Sequence, residues 1–246
     1  MSDPKTIILL ATYNEMENLP DLVDSLIHTL PGADILVVDD HSPDGTGDWI
    51  DEKRKSEARL FCIHRSGKNG LGSAVIEALQ FAIDHKYDFA VNMDADFSHP
   101  ADRIPMMIDR MNKEVNGSLP DIVIGSRYIS GGGIQGWSLK RKLMSRAINF
   151  FARLMLGLKT KDNSGSFRCY RISFLEDFDF KSIRSRGYSF FEEFLFRLKR
   201  KGASFAEIPI LFTDRTRGES KINRKEAITA VWILFSLGMK SLFSKR

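Results

Sequence analysis

Residues Phe89-Ala90-Val91-Asn92-Met93-Asp94-Ala95-Asp96-Phe97-Ser98-His99 carry a short apolar run straight into two acids two positions apart. Its length and composition predict a strand over Phe89–Met93. The same arrangement occurs twice upstream. Thr6–Thr12 leads into Tyr13-Asn14-Glu15, and Ile35–Asp39 leads into Asp40. Leu60–His64 and Ile122–Ser126 are two more strand candidates. The stretches between them, about Leu19–Leu30, Gly47–Glu57, Leu71–His85 and Asp102–Val115, repeat apolar residues at three- and four-residue steps. Strands alternating with amphipathic helices predict an α/β fold on a mostly parallel, doubly wound sheet. Such sheets bind ligands beyond the carboxyl ends of their strands, which is where these acids fall.

After Arg127 the pattern changes. Gly131–Gly133 reads as a glycine-rich loop, Lys140–Leu156 as a basic amphipathic helix, Lys161–Ser166 as a polar turn and Phe190–Lys201 as a helix. Phe205–Phe212 reads as extended chain, Thr213–Asn223 as a charged loop and Lys225–Phe243 as a terminal helix. The longest nearly apolar stretch, Ala227–Met239, falls short of the ~20 residues a bilayer span needs, so a buried or interfacial helix is expected there. The expected organisation is one domain over residues 1–223 and an amphipathic helix over 224–246. Hydrophobic residues at 43% and charged residues at 28% are ordinary for a globular chain, and a net charge of +4 is too small to point to nucleic acid. Cys62 and Cys169 are the only cysteines, and Ile7–Ala11 is too short and lacks the basic leader of a signal peptide, so a cytoplasmic setting is expected. Cys62 reads as core, His28 and His85 as surface, and no histidine has zinc-ligand spacing.

Asp94 and Asp96, leaving a strand in a turn, can approach one hard divalent cation, which takes few protein oxygens and leaves other positions to phosphate. A lone Asp-x-Asp is more often a solvated turn. Here Asp39 and Asp40 at a second strand end make a convergent anionic site whose repulsion a cation would relieve. The segment Asp39-Asp40-His41-Ser42-Pro43-Asp44-Gly45-Thr46 also reads as a plain turn opening a helix. That accounts for Pro43 and Gly45, whereas carboxylates set for a base edge and ribose hydroxyls account for the two successive acids. Lys68-Asn69-Gly70-Leu71-Gly72 fits equally an anion approached by backbone N–H groups, with Lys68 adding charge, and a glycine turn capping a helix.

Taken in order, a longer set of motifs resembles those of the dolichyl-phosphate mannose synthases of glycosyltransferase family 2. These are Thr12-Tyr13-Asn14-Glu15, Asp39-Asp40-x-Ser42-Pro43-Asp44-Gly45-Thr46, Gly70-Leu71-Gly72 and Met93-Asp94-Ala95-Asp96-x-Ser98-His99. Downstream come Gly125-Ser126-Arg127-Tyr128, Gly131-Gly132-Gly133 with Gly136-Trp137, and Arg141 with Ser145-Arg146. Asp162-x-Ser164-Gly165-Ser166-Phe167-Arg168, Gly187-Tyr188-x-Phe190 and Asp214-Arg215-x-x-Gly218-x-Ser220-Lys221 complete it. The resemblance covers about residues 6 to 223. Ala11 departs from a frequent Pro, Ser164 from a frequent Thr, and Phe191 from a common Gln, which puts the polar contacts around Glu193 in question.

The resemblance implies a GT-A fold, Rossmann-like with flanking helices, and inverting transfer of mannose from GDP-mannose to a polyprenyl phosphate. It places Mg2+ or Mn2+ at Asp94, Asp96 and Ser98. It places the nucleotide-sugar at Thr12, Tyr13, Glu15, Val38, Asp39, Asp40, Lys68, Asp94, Ala95, Asp96, Arg215 and Lys221, and the lipid phosphate at Arg127, Arg141 and Ser145. Asp94, Asp96, Arg127 and Arg141 then form the reaction centre. A phosphate monoester, with a second pKa near ~6, is already an anion at neutral pH, so no catalytic base is required. The competing reading of the arginines is a solvated basic helix face, and it is weaker for Arg127, which directly follows a strand.

A prenyl tail requires a membrane surface, expected to be the cytoplasmic face with the chain bound peripherally. Ile148, Phe150, Phe151, Leu154, Met155, Leu156 and Leu158 behind a basic cluster suit such an interface, as does the terminal segment around Trp232–Phe243 with its flanking cations. Both also fit core helices, and a membrane-anchoring partner subunit is compatible with either. Two rivals remain, a polyprenyl-phosphate glucosyltransferase using UDP-glucose and an inactive membrane-associated binding subunit.

Overall fold

A computed structural model of the chain describes residues 4–115, 117–185, 187, 189–215, 217, 235, 236 and 238. Strand β1 (Thr6–Thr12) alternates its side chains between two cores: Ile7 and Leu9 enter one, Ile8 and Leu10 the other. A strand buried on both faces must be flanked by helices on both. On one face lie α3 (Leu71–Asp84), α5 (Leu139–Leu156), α6 (Ile172–Leu175) and α7 (Phe190–Lys201). On the other lie α1 (Leu19–Thr29), α2 (Thr46–Lys53) and α4 (Ile104–Met111).

The other strands are β2 (Ala33–Asp39), β3 (Leu60–His64), β4 (Phe89–Asp94), β5 (Ile122–Ser126), β6 (Gly133–Gln135), β7 (Arg168–Arg171), β8 (Phe205–Pro209) and β9 (Leu211–Thr213). The main sheet runs β3-β2-β1-β4-β7-β5-β8, with β6 and β9 as a separate parallel pair. Every pairing in the main sheet is parallel except those of β7, which runs antiparallel to both β4 and β5. Register aligns Thr12 with Asp39, Asp39 with His64 and Ala11 with Asp94. The acids that end β2 and β4 therefore reach one edge of the sheet, on either side of β1, where the strand order reverses.

The expected strands and the helix over Phe190–Lys201 are all present. Four expectations need correction. The helix expected over Asp102–Val115 divides into a 3-10 turn at Ala101–Arg103 and a shorter α4, whose end is closed at Asn112 by its side chain on the Ile108 carbonyl. Phe205–Phe212 breaks at Ile210 into β8 and β9, which belong to different sheets, and part of the expected glycine loop is β6, pairing with β9. Cys62 is only partly buried, at the margin of one core. The boundary at 223/224 lies outside the described residues; of the terminal segment Phe235, Ser236 and Gly238 are helical, and a Cβ on Gly238 would stand 2.9 Å from the Met155 carbonyl oxygen.

Strand β7 carries a fully buried arginine. Arg168 donates to the Phe191 carbonyl at 2.9 Å and the Asn163 carbonyl at 2.6 Å, tying the 162–166 loop to the start of α7. The Phe191 ring lies 4.8 Å from its guanidinium carbon. Glu193 is fully engaged by Arg184, Ser185 and Arg197, so Phe191 leaves its contacts intact. Glu192 is different: its Oε2 has no hydrogen-bond partner among the described residues, and burial raises its pKa to about 7, with Arg168 opposing. An acid whose pKa is raised on folding loses stability as pH climbs from its ordinary value toward the folded one. Glu192→Gln removes that loss. Its melting temperature is expected to exceed that of the parent by roughly 4 °C at pH 8 and to match it near pH 4; thermal unfolding followed by circular dichroism checks this, and an equal gap at both pH values would contradict it.

Candidate active site

The ends of β1, β2 and β3 form one side of the site. Asp39 accepts the Thr12 hydroxyl at 2.9 Å and both the hydroxyl and the N–H of Ser42, at 2.5 and 2.9 Å, so it holds the 40–46 turn in place. Asp40 is paired through one carboxylate oxygen with Arg65, which also reaches Ser73 and Glu77. Tyr13 lies under the Lys68 ammonium, 4.3 Å from ring centre to nitrogen, and Glu15 accepts from Asn18. Val38 and Ala95 turn their side chains into the cores, which leaves their main-chain atoms for any ligand. A Cβ on Gly72 would stand 2.7 Å from the Phe190 ring, so this glycine permits α3 to pack against α7. Lys221 and Tyr188 lie outside the described residues.

At the end of β4 the chain turns sharply, with Phe97 in the left-handed region at φ 61°. Asp94 is one-third exposed and accepts the Ser166 hydroxyl at 2.7 Å. Asp96 is nearly buried; one oxygen takes the Ser98 N–H and hydroxyl, the other the Arg215 guanidinium at 2.9 Å. The Ser98 hydroxyl thus orients Asp96 and is itself buried. His99 stacks on Phe167 and accepts the Asp94 N–H through Nδ1; burial lowers its pKa, against the opposing pull of Asp94 and Asp96. No cluster of three metal-ligating side chains occurs among the described residues. Two carboxylates, one of which already holds a cationic group, suit a hard cation that takes its remaining oxygens from a bound diphosphate.

Across the site, Arg127 follows β5 and is almost wholly buried beside Asp162. Its Nε and Nη2 donate to the two Asp162 oxygens at 2.7 Å each, and Nη2 also donates to Ser164 at 3.0 Å, leaving Nη1 without a partner among the described residues. Burial would lower the Arg127 pKa and raise that of Asp162. Their mutual charge and hydrogen bonds outweigh it, so Arg127 is held up and Asp162 down, while the Asp94 charge also acts on Arg127. Asn149 of α5 braces this loop by accepting from Asn163 and donating to Ser164.

Arg141, on α5, donates through Nη1 to both oxygens of Asp214. Trp137 links the two arginines: its ring centre lies 4.0 Å from the Arg141 guanidinium carbon and 5.6 Å from that of Arg127. Ser145 accepts the Tyr128 hydroxyl at 2.7 Å. Two guanidinium groups, Arg127 fixed along one edge and Arg141 through one nitrogen by a carboxylate, therefore converge beside one indole.

The glycosyl transferase family 2 profile matches residues 7–178. The chain belongs to that family. It is 38% identical to an undecaprenyl-phosphate mannosyltransferase of Micrococcus luteus over 89% of this chain and 88% of that protein. It is 35% identical to a polyprenol monophosphomannose synthase of Mycolicibacterium smegmatis over 96% and 88%. Among solved structures, glucosyl-3-phosphoglycerate synthase of Mycobacterium tuberculosis, in complex with Mn2+, UDP and glucosyl-3-phosphoglycerate, aligns with a TM-score of 0.64 at 17% identity. It covers 96% of this chain and 78% of its own, which establishes the GT-A fold for this family member.

The strand-end acids and the two arginines expected from the sequence thus come together. Their partners Arg65, Asp162, Ser166 and Asp214 were not singled out as site residues. Arg65 and Asp214 had a local signal, since each directly follows a strand as the acids do, and Asp162, Ser166 and Asp214 lay within the resembling motifs. Asp162 is held below its ordinary 3.8, so its contribution to stability is complete above about that pH and disappears as pH falls through the folded value. Asp162→Asn breaks a buried pair and is expected to lower stability by about 3 kcal/mol at pH 7. Urea unfolding should show that deficit shrinking below pH 4; a deficit independent of pH would contradict it.

Proposed function

We propose that this chain transfers mannose from GDP-mannose to a polyprenyl phosphate with inversion at the sugar. The observation that carries the reading is the pair Arg127 and Arg141, both packed on Trp137, Arg127 tied by one edge to Asp162 and Arg141 by one nitrogen to Asp214, beside the acids that end β4. This is a seat for an anion. A sugar hydroxyl would need a base, and Asp162 is held by Arg127 while His99 is buried and holds the Asp94 N–H. A phosphate monoester needs none. The names of both mannosyltransferase relatives support mannose and a polyprenyl acceptor.

In this reading Asp39, Asp40 and Lys68 face the nucleotide. Asp94 and Asp96 hold Mg2+ or Mn2+, which when bound stabilises the charge growing on the departing diphosphate. Arg215 and Lys221 add fixed positive charge. Arg127, Arg141 and Ser145 orient the acceptor phosphate. An oxygen of that phosphate forms the new bond to the anomeric carbon as the bond to GDP breaks on the opposite face, and no proton moves.

Helix α5 also supports peripheral contact with a membrane surface, which in this reading is the cytoplasmic face. Leu139, Leu143, Phe150 and Leu154 are 55–72% exposed, and at about 100° per residue they fall within roughly 60° of one another. Lys140, Arg146 and Arg153 flank this stripe, while Arg141 and Ser145 project on the inner side. The stripe differs from the expected one: Leu156 and Leu158 are core, and Phe151 and Met155 pack against it. No helix among the described residues is long and apolar enough to cross a membrane.

Purified protein with Mn2+, farnesyl phosphate and radiolabelled GDP-mannose is expected to yield farnesyl phosphomannose, and Asp96→Ala to lower the rate at least about a hundredfold without changing circular dichroism. Product from UDP-glucose alone would overturn the donor. Separately, Leu143→Glu with Leu154→Glu should weaken sedimentation with vesicles containing anionic lipid about tenfold or more; undiminished binding would place the membrane contact elsewhere.

A further inference from the structure

The acceptor side contains an acid with no part in the reaction just described. Asp214 directly follows β9; its N–H donates to the Gln135 carbonyl at 3.0 Å, and its carboxylate accepts Trp137 Nε1 at 3.2 Å. The loop before Trp137 passes very close. Gly136 has φ +86°, and a Cβ there would stand 2.8 Å from the Asp214 Cβ. Main chain and carboxylate of Asp214 are therefore both fixed before it meets Arg141.

Arg141 gives Asp214 a single nitrogen, Nη1, at 3.1 and 3.0 Å from the two oxygens. Among the described residues its Nε and Nη2 have no partner. A guanidinium is a planar fork, so fixing one nitrogen and stacking the plane on an indole leaves one edge for an anion. The neighbours of Asp214 reach the other half of the site. Thr213 N–H donates to the Ser98 carbonyl at 3.2 Å, and Arg215 pairs with Asp96 at 2.9 Å.

We propose that Asp214 is a positioning residue: it holds Arg141 so that the remaining edge meets the acceptor phosphate, in fixed relation to the turn that carries Asp96. This deepens, and rests on, the reading of Arg141 as a phosphate seat. The charge of Asp214 also repels an incoming anion. If it acted only as a competing counter-ion, removing that charge would tighten acceptor binding; positioning has the opposite sign.

The test compares the parent protein with Asp214→Asn, Trp137→Phe and Arg141→Ala. It measures steady-state kinetics with GDP-mannose, farnesyl phosphate and Mn2+, and calorimetric binding of farnesyl phosphate without metal or donor. Asp214→Asn is expected to raise both KM and Kd for farnesyl phosphate about tenfold, the scale of a charge-assisted hydrogen bond, and to leave KM for GDP-mannose within about twofold. Trp137→Phe, which loses only the N–H donor, should move the same values in the same direction by less. A fall in acceptor KM and Kd, no change, or a parallel rise in both substrates' KM would overturn the proposal. Arg141→Ala separates the two levels: unchanged acceptor values there would overturn the seat itself, whereas a rise there with none in Asp214→Asn would overturn only the role of Asp214.

Discussion

Parallel strands that end in acids concentrate negative charge along one edge of a sheet, and the rest of this site is shaped by the need to counter it. Asp39 is met by the hydroxyls of Thr12 and Ser42, Asp40 by Arg65, Asp94 by Ser166 and Asp96 by Arg215. Asp162 and Asp214 repeat the pattern with Arg127 and Arg141. Each acid has a partner of its own, and among the described residues Arg127 and Arg141 keep part of their forks available, whereas Arg65 spends all three side-chain nitrogens on Asp40, Ser73 and Glu77. The result is a cleft with ordered charges of both signs, which suits a reaction between two phosphorylated substrates better than it suits acid–base chemistry.

The buried Arg127–Asp162 pair is the most demanding element. Removing both groups from water is costly, and the cost is offset because two of the three Arg127 side-chain nitrogens and both Asp162 oxygens are engaged. The supports come from distant parts of the chain: Asn149 on α5 braces the loop, and Arg168 on β7 anchors it through the Asn163 carbonyl. Here β7 earns its odd place in the sheet. Running antiparallel between β4 and β5, it brings Ser166 to Asp94 and the 162–164 loop to Arg127 with one short segment.

Much of this was legible in the sequence, and what was not has a physical reason. Strands such as Thr6–Thr12 and Leu60–His64 are apolar runs of ordinary length, so composition finds them. Strand β7 reads Arg-Cys-Tyr-Arg, too short and too charged to signal a strand, and it is stabilised by two neighbours and a buried guanidinium network that no local pattern encodes. The acids at strand ends were visible for the same reason as the strands. The pairings were not, because Asp162 is 35 residues from Arg127 and Asp214 is 73 from Arg141. On α5 the amphipathic pattern was visible but its phase was not: only packing against the core shows that Phe150 and Leu154 face outward while Leu156 does not.

The account rests on a nucleophile that arrives already charged. Its most direct test is the pH dependence of kcat/KM for the acceptor, measured with a prenyl phosphate and again with a prenyl phosphonate, whose second ionisation lies at higher pH. The account requires an acidic limb near ~6 for the phosphate that moves upward with the phosphonate, because the ionisation belongs to the substrate. A limb that stayed at the same pH for both acceptors would assign it to a base on the protein and contradict the account.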